Sequence, residues 1–211
     1  MNKIEKLMQR LCPDGVEFVP IWSVTKWSKR FKNVDNYKQN ETFKHPSISA
    51  GFVFSLEDDR GDVQIFASGS KTKHTTALRS GDYMIDGEFV FLPSGCGCDS
   101  DINIRHHNGL VVYAKNYAVA SNNESKLLNK FIYYFMLSKK RLIKSYYNGV
   151  TIHQPDMAAI LDIKIPIPPL AIQQEIVAIL DMSLDVPAEI TMRRNQYEYY
   201  REKLLTFKKK D

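Results

Sequence analysis

Ile163-Lys164-Ile165-Pro166-Ile167-Pro168-Pro169-Leu170-Ala171-Ile172-Gln173-Gln174-Glu175-Ile176-Val177-Ala178-Ile179-Leu180 marks the point where the chain changes its architecture. In its first part, Ile163, Ile165 and Ile167 alternate with Lys164 and Pro166, which reads as a strand over Ile163–Ile167. Pro166, Pro168 and Pro169 lack the N–H that a central strand must donate, so the segment is not a central paired strand and reads as a stiff exit from the globular part. In its second part the period lengthens. Ile172, Ile176, Ile179 and Leu180 fall on one side of a helix over Leu170–Leu184, a span free of Gly and Pro.

Upstream of this junction the pattern is different. Met1–Leu11 places Ile4, Leu7, Met8 and Leu11 on one helical face and stops at Pro13-Asp14-Gly15. From Val16 to about Asn123 come short apolar runs: Val16–Pro20, His45–Ser49, Val63–Ala67, Tyr83–Ile85, Phe89–Leu92, Leu110–Ala114 and Ala118–Ser121. Eight of the ten glycines lie in this region, which is therefore turn-rich and predominantly β. Around Ser125 the period switches again. Leu128, Phe131, Ile132, Phe135, Leu142, Ile143 and Tyr146 predict one amphipathic helix over Ser125–Tyr147, ended by Asn148-Gly149.

Downstream, Pro187 starts or kinks a further helix. Ile190, Tyr197 and Leu204 fall seven apart, with Arg193, Tyr200 and Phe207 three residues after each, an a/d seam of about two and a half heptads. The expected class is α+β. A β-rich domain over 1–167, with its 125–147 helix, is followed by a coiled-coil-like helical region over 168–211.

Charge points towards a polyanion. The 211 residues carry a formal net charge of +5. Six bases, Lys26, Lys29, Arg30, Lys32, Lys38 and Lys44, lie in one stretch against Asp35 and Glu41. Lys71, Lys73 and Arg79 follow the acidic Glu57–Asp62 segment, and Lys126–Lys144 holds six bases and no acid. Separate basic clusters on a balanced chain suit a face that tracks phosphates. Cys12, Cys96 and Cys98 are an odd set without a secretory signal, and no apolar run is long enough for a membrane helix, so the expected compartment is the reducing cytoplasm.

Catalytic signatures fail one by one. A methyltransferase would carry Asn or Asp before Pro-Pro-aromatic, but Ile167 precedes the only Pro-Pro, Pro168-Pro169. No Gly-rich phosphate loop of an NTPase is present. Asp82, Asp86 and Glu88 form a carboxylate group, but Glu88 is followed by Phe89-Val90, not by a lysine two residues on. Cys96-Gly97-Cys98 with His106-His107 could supply two thiolates and two imidazoles to zinc, which would support a hydrolase. Cys-x-Cys spacing and adjacent histidines argue against it, and the expectation is no metal and no catalytic residue.

Several segments together resemble one family. Ile165–Leu170 running into Gln173-Gln174-Glu175-Ile176-Val177 and Ile179-Leu180-Asp181 resembles the junction of type I restriction-modification specificity subunits. There a proline-rich strand joins a target recognition domain to a spacer helix. Arg193–Phe207, with its core Gln196–Leu205, is similar to the distal spacer, Cys12–Phe18 to the opening of such chains, and Phe131–Tyr134 and Gly149–Gln154 to the helix and loop before the junction.

The resemblance implies a non-catalytic reader of double-stranded DNA with room for one recognition domain and one spacer. It implies a homodimer through the C-terminal helices, using Ile172, Ile176, Ile179, Leu180, Ile190, Tyr197, Tyr200, Leu204 and Phe207. It also implies methyltransferase subunits that hold S-adenosylmethionine, and motor-nuclease subunits, acting at a bipartite palindromic site. Three donor-rich stretches are the candidates for DNA contact: Lys29, Arg30 and Lys32; Lys71, Thr72, Lys73, His74 and Arg79; and Arg105, His106 and His107. The alternative is a standalone adaptor for nucleic acid or protein that dimerises through its C-terminal helix.

Overall fold

The computed structural model describes residues 3–46, 48–67, 73–184, 201–202 and 204–210. The first half runs α1 (Lys3–Leu11), β1 (Phe18–Pro20), β2 (Thr25–Trp27), α2 (Ala50–Ser55), β3 (Val63–Phe66), β4 (Lys73–Thr75), α3 (Ala77–Ser80), β5 (Glu88–Pro93) and β6 (Cys96–Gly97). The second half runs β7 (Arg105–Asn108), β8 (Val111–Tyr113), β9 (Asn116–Ser121), α4 (Asn129–Ser138), α5 (Lys140–Ser145), β10 (Tyr147–Asn148), β11 (Ile152–Pro155), α6 (Met157–Leu161), β12 (Lys164–Pro166) and α7 (Leu170–Leu184). This is the α+β class expected.

The centre is an antiparallel four-stranded sheet in the order β2-β9-β5-β7. Strand alternation sends its apolar side chains to two different cores. Val90, Leu92, Val119 and Trp27 face the helices, packing with Phe131, Ile132 and Phe135 of α4. Phe91 and Ala118 face the other way, against Phe66, Val111 and Tyr113 of a second sheet, β4-β3-β8. In that sheet β3 and β8 are parallel, and a third core, around Val53, Val63, Ile65 and Val112, seats α2 on its far side.

Several elements differ from the sequence expectation, each for a local reason. His45–Ser49 is not a strand; Ser49 instead caps α2, its hydroxyl accepting from Phe52 N–H at 3.2 Å. Tyr83 ends a 3-10 turn, and Ile85 makes only an isolated bridge to Val111. Lys73–Thr75 and Arg105–Asn108, both read as loops, are strands whose polar side chains hid them. The single 125–147 helix is two, α4 and α5, divided at Lys139 with φ −97° and ψ 11°. The turn carries Lys140 to within 2.5 Å of Asp101 and lets Lys144 Nζ donate to Ser100 O at 2.6 Å.

The proline-rich junction forms an edge pair, β1 with β12. The core then continues without a break across the expected 167–168 boundary. Ile172, Ile176 and Leu180, one stripe of α7, are fully buried with Phe131 and Phe135. Asp181 accepts from Tyr134 Oη and pairs with Lys130 at 2.8 Å.

The end of the chain returns to the same place. Leu204 and Leu205 are buried there and Phe207 packs against it. Lys208 O and Lys210 N bracket Val16 at 2.9 Å each. Gly15 permits this approach: it has φ +100°, and a Cβ would sit 2.6 Å from Lys208 O. Ile172, Ile176, Leu180 and Leu204, expected at a subunit interface, are thus buried inside their own chain. Ile179 and Phe207 are partly buried against the same core, while Ile190, Tyr197 and Tyr200 lie outside the described residues.

One buried amide joins these parts. Gln173 Oε1 accepts from Leu128 N–H at 2.9 Å, and Nε2 donates to Lys126 O and Pro168 O at 2.7 Å each. Gln173→Ala leaves these backbone groups without partners and should cost about 3 kcal/mol, read as a lower urea midpoint at unchanged slope. Exposed Gln174→Ala should stay within about 0.5 kcal/mol of the parent.

A second strut links β5 and β7, where His106 Nε2 lies 2.6 Å from Glu88 Oε1. That hydrogen bond holds the Glu88 carboxyl below its ordinary value of 4.5. A depressed carboxylate stabilises the fold above its unfolded pKa, and the effect fades as pH falls through the folded pKa. The stability gap between the parent and Glu88→Gln should be full near pH 6 and shrink as pH falls below about 4.5, measured by urea denaturation across pH.

Candidate nucleic-acid interface

A cleft of about 1260 Å³ opens where β6, the β8–β9 turn and the 28–29 and 45–50 segments meet. Among the described residues its charged lining is Lys29, Arg105, Lys115 and Lys140 against the single acid Asp101, and Asp101 is already paired with Lys140. Ser28, Ser94, Asn103, Asn116 and Gln154 add polar groups of both hydrogen-bonding senses.

Each basic group is held by a local device. Lys29 lies over the Tyr117 ring, 4.8 Å from its centroid. The loop carrying Lys29, Arg30 and Lys32 is fixed from beneath by buried Gln39. Its Oε1 accepts from Phe31 N–H at 2.7 Å, and its Nε2 donates to Phe31 O and Val34 O. Arg30 and Lys32 are exposed on that loop. Arg105 lies 4.8 Å above the Phe66 ring and donates from Nη2 to Ala67 O at 3.2 Å. Burial lowers the Arg105 pKa from its ordinary value, but an arginine starts so high that it stays charged.

Lys115 is the unusual member. It occupies the turn between β8 and β9 with φ +56°, a left-handed conformation that a lysine adopts at a cost. Its carbonyl accepts from Ser94 N–H at 3.0 Å, and Asn116 Nδ2 donates to Ala114 O at 2.8 Å, which hold the turn shut. The side chain is exposed.

Beside it the cleft wall is aromatic and uncharged. The His45 ring stacks on Tyr113 with centroids 3.8 Å apart. Burial pushes His45 down to about 4 and Tyr113 up, so both are neutral near pH 7.

The candidate stretches divide in this structure. Lys71 and Thr72 lie outside the described residues. The acidic segment before them folds onto the rest of that cluster. Lys73 pairs with Glu57, and Arg79 Nη1 donates to Glu57 O at 2.6 Å and lies 3.9 Å from Asp58. His74 is half-buried on β4, its carbonyl accepting from Asp58 N–H. Lys73 and Arg79 of this stretch are therefore engaged within the chain.

His106 and His107 are consecutive on β7 and serve opposite faces. His106 engages Glu88 and rests 5.6 Å from the Tyr133 ring, whereas His107 Nε2 engages Leu110 O at 3.1 Å. They cannot close on one ion with Cys96 and Cys98, and Cys96 Sγ instead accepts from Lys144 Nζ at 3.0 Å. Among the described residues no group of three or more His, Cys, Asp or Glu side chains gathers to hold a metal. Lys115 was missed by the sequence reading, whereas Lys140 entered it as one of the six bases of Lys126–Lys144. The polar Lys115-Asn116 step between two apolar runs was the available signal for the first.

Comparison with known proteins gives this cleft a context. The family described as the type I restriction modification DNA specificity domain matches residues 13–196. The specificity subunit of the type I restriction enzyme EcoR124I/EcoR124II from Escherichia coli is 29% identical over 229 residues, covering 99% of this chain and 48% of that one. The crystal structure of a type I restriction-modification S subunit from M. genitalium superposes with a TM-score of 0.55 at 17% identity, covering 80% of this chain and 39% of that one. A chain from a type I restriction-modification complex gives a TM-score of 0.50 at 16% identity, covering 96% and 50%. This chain thus spans about half, or less, of the length of the relatives it matches. Among the described residues no helix is long and apolar enough to cross a membrane. With the family matched over residues 13–196 of 211, the chain belongs to the type I restriction-modification DNA specificity domain family.

Proposed function

We propose that this chain is a non-catalytic recognition unit that grips double-stranded DNA in the cleft and presents a chosen sequence to methyltransferase subunits. The observation that carries the reading is the lining of the cleft: beside the Asp101–Lys140 pair it keeps Lys29, Arg105 and Lys115 with no further acid among its described lining residues. Phosphates need fixed cations, and base edges need donors and acceptors of both kinds, which Ser28, Asn103, Asn116 and Gln154 offer. A bipartite site needs a second recognition unit beside this one. The methyltransferase partner, not this chain, would hold S-adenosylmethionine and flip the target base. Motor-nuclease subunits would join the same assembly.

Titrating a duplex of random sequence against salt tests the cleft. Each phosphate contact adds about 0.9 to the slope of log affinity against log salt. Lys115→Asn removes one cation but suits the left-handed turn, which asparagine tolerates. It should weaken binding roughly eightfold at about 0.1 M salt and lower the slope by about 0.9. Its melting temperature should hold or rise, where a structural role for the lysine would lower it. Unchanged affinity in Lys115→Asn and Lys29→Ala alike would contradict the reading.

A further inference from the structure

The β10–β11 hairpin ends in a feature that cationic contact with phosphates does not need. At its turn Val150 is 93% exposed, and Ile152, two residues on, is 63% exposed. The turn is closed tightly. Gly149 has φ +152°, and a Cβ there would sit 2.3 Å from Ile152 O, so only glycine fits. The base of the hairpin is fixed as well. Tyr147 Oη donates to Pro93 O at 2.6 Å, and Asp156 N–H to Tyr146 O at 2.8 Å. Ile152 and His153 pair with Gly97 and Cys96 of β6. The turn that carries Val150 is thus held by its own backbone with that side chain in solvent. Ile152 and Gln154, alternate residues of β11, line the cleft, and exposed Val150 precedes Ile152 by two residues in the hairpin turn.

We propose that Val150, backed by Ile152, is an apolar wedge that enters a base step of the duplex held in the cleft and unstacks it. This rests on the DNA-binding reading above and adds a deformation that the reading does not require. Charge selects the occupant. Residues Lys140, Arg141 and Lys144 lie on α5, which leads straight into this hairpin, and the cleft behind the tip is lined by four bases to one acid. An apolar protein surface seated on the tip would have to desolvate those cations, whereas a sugar-phosphate backbone neutralises them. Apolar side chains inserted between base pairs kink a duplex, and burying them offsets the lost stacking. The wedge would also add selectivity that needs no hydrogen bond, because pyrimidine–purine steps such as TA and CA open most easily.

Permanganate, which oxidises unstacked thymines, tests this on the full chain without any methyltransferase subunit, so that no flipped base contributes. The probe is a pool of duplexes with random cores, recovered with the protein and sequenced for modified thymines. The parent chain should give reactive thymines, concentrated in pyrimidine–purine steps. Val150→Ser should return reactivity to that of free duplex while still retaining DNA, with an unchanged melting temperature because the side chain is exposed. Parent chain that retains duplex with no reactive thymines, or Val150→Ser that keeps the parent pattern, would overturn the wedge and leave the DNA-binding reading standing. Failure of the parent chain to retain any duplex would overturn both.

Discussion

The buried amide of Gln173 ties the two architectures of this chain together at the junction between them. Gln173 bonds to the backbone at Leu128, Lys126 and Pro168. It thereby fixes the approach to α4, the proline-rich exit from β12 and the first turns of α7. Its geometry makes α7 continue the core, and the buried stripe Ile172, Ile176 and Leu180 follows from that placement. The same core seats α4 against one face of the four-stranded sheet. The opposite face, through Phe91 and Ala118, supports the second sheet and the turns around the cleft. An unpaired Gln173 amide in this setting would be costly, so the three bonds act as a joint requirement on the fold.

The cleft depends on that scaffold through short, over-determined turns. Gln39 ties the Lys29 loop, Ser94 and Asn116 hold the Lys115 turn, and Gly149 closes the β10–β11 hairpin. Each fixes a side chain that contributes nothing to the core: two cations and one apolar tip. Strain at Lys115, in a conformation suited to glycine or asparagine, is the kind retained where a side chain serves a ligand.

Much of this was legible in the sequence where one physical signal dominated. Leu170–Leu184 has an uninterrupted helical stripe and forms α7 with those bounds. Val63–Ala67, Phe89–Leu92 and Ala118–Ser121 overlap β3, β5 and β9 because apolar alternation drives both the pattern and the burial. Arg105–Asn108 was hidden because an edge strand of polar residues carries no alternation. Leu204, read as one position of an apolar helical seam, is buried in the chain's own core, because an apolar stripe does not declare its partner. The site was less legible. Basic runs were visible, but only folding shows that Glu57 and Asp58 meet Lys73 and Arg79, and that Lys115 and Lys140 join Lys29 and Arg105 across the cleft.

The central claim is that the cleft, not the other basic stretches, receives the duplex. Lysine acetylation followed by mass spectrometry, with and without a duplex of random sequence, tests it most directly. The account predicts that Lys29 and Lys115 become protected when duplex is added, while Lys73, already paired with Glu57, changes little. Reactivity at Lys29 and Lys115 that is the same with and without duplex would contradict it.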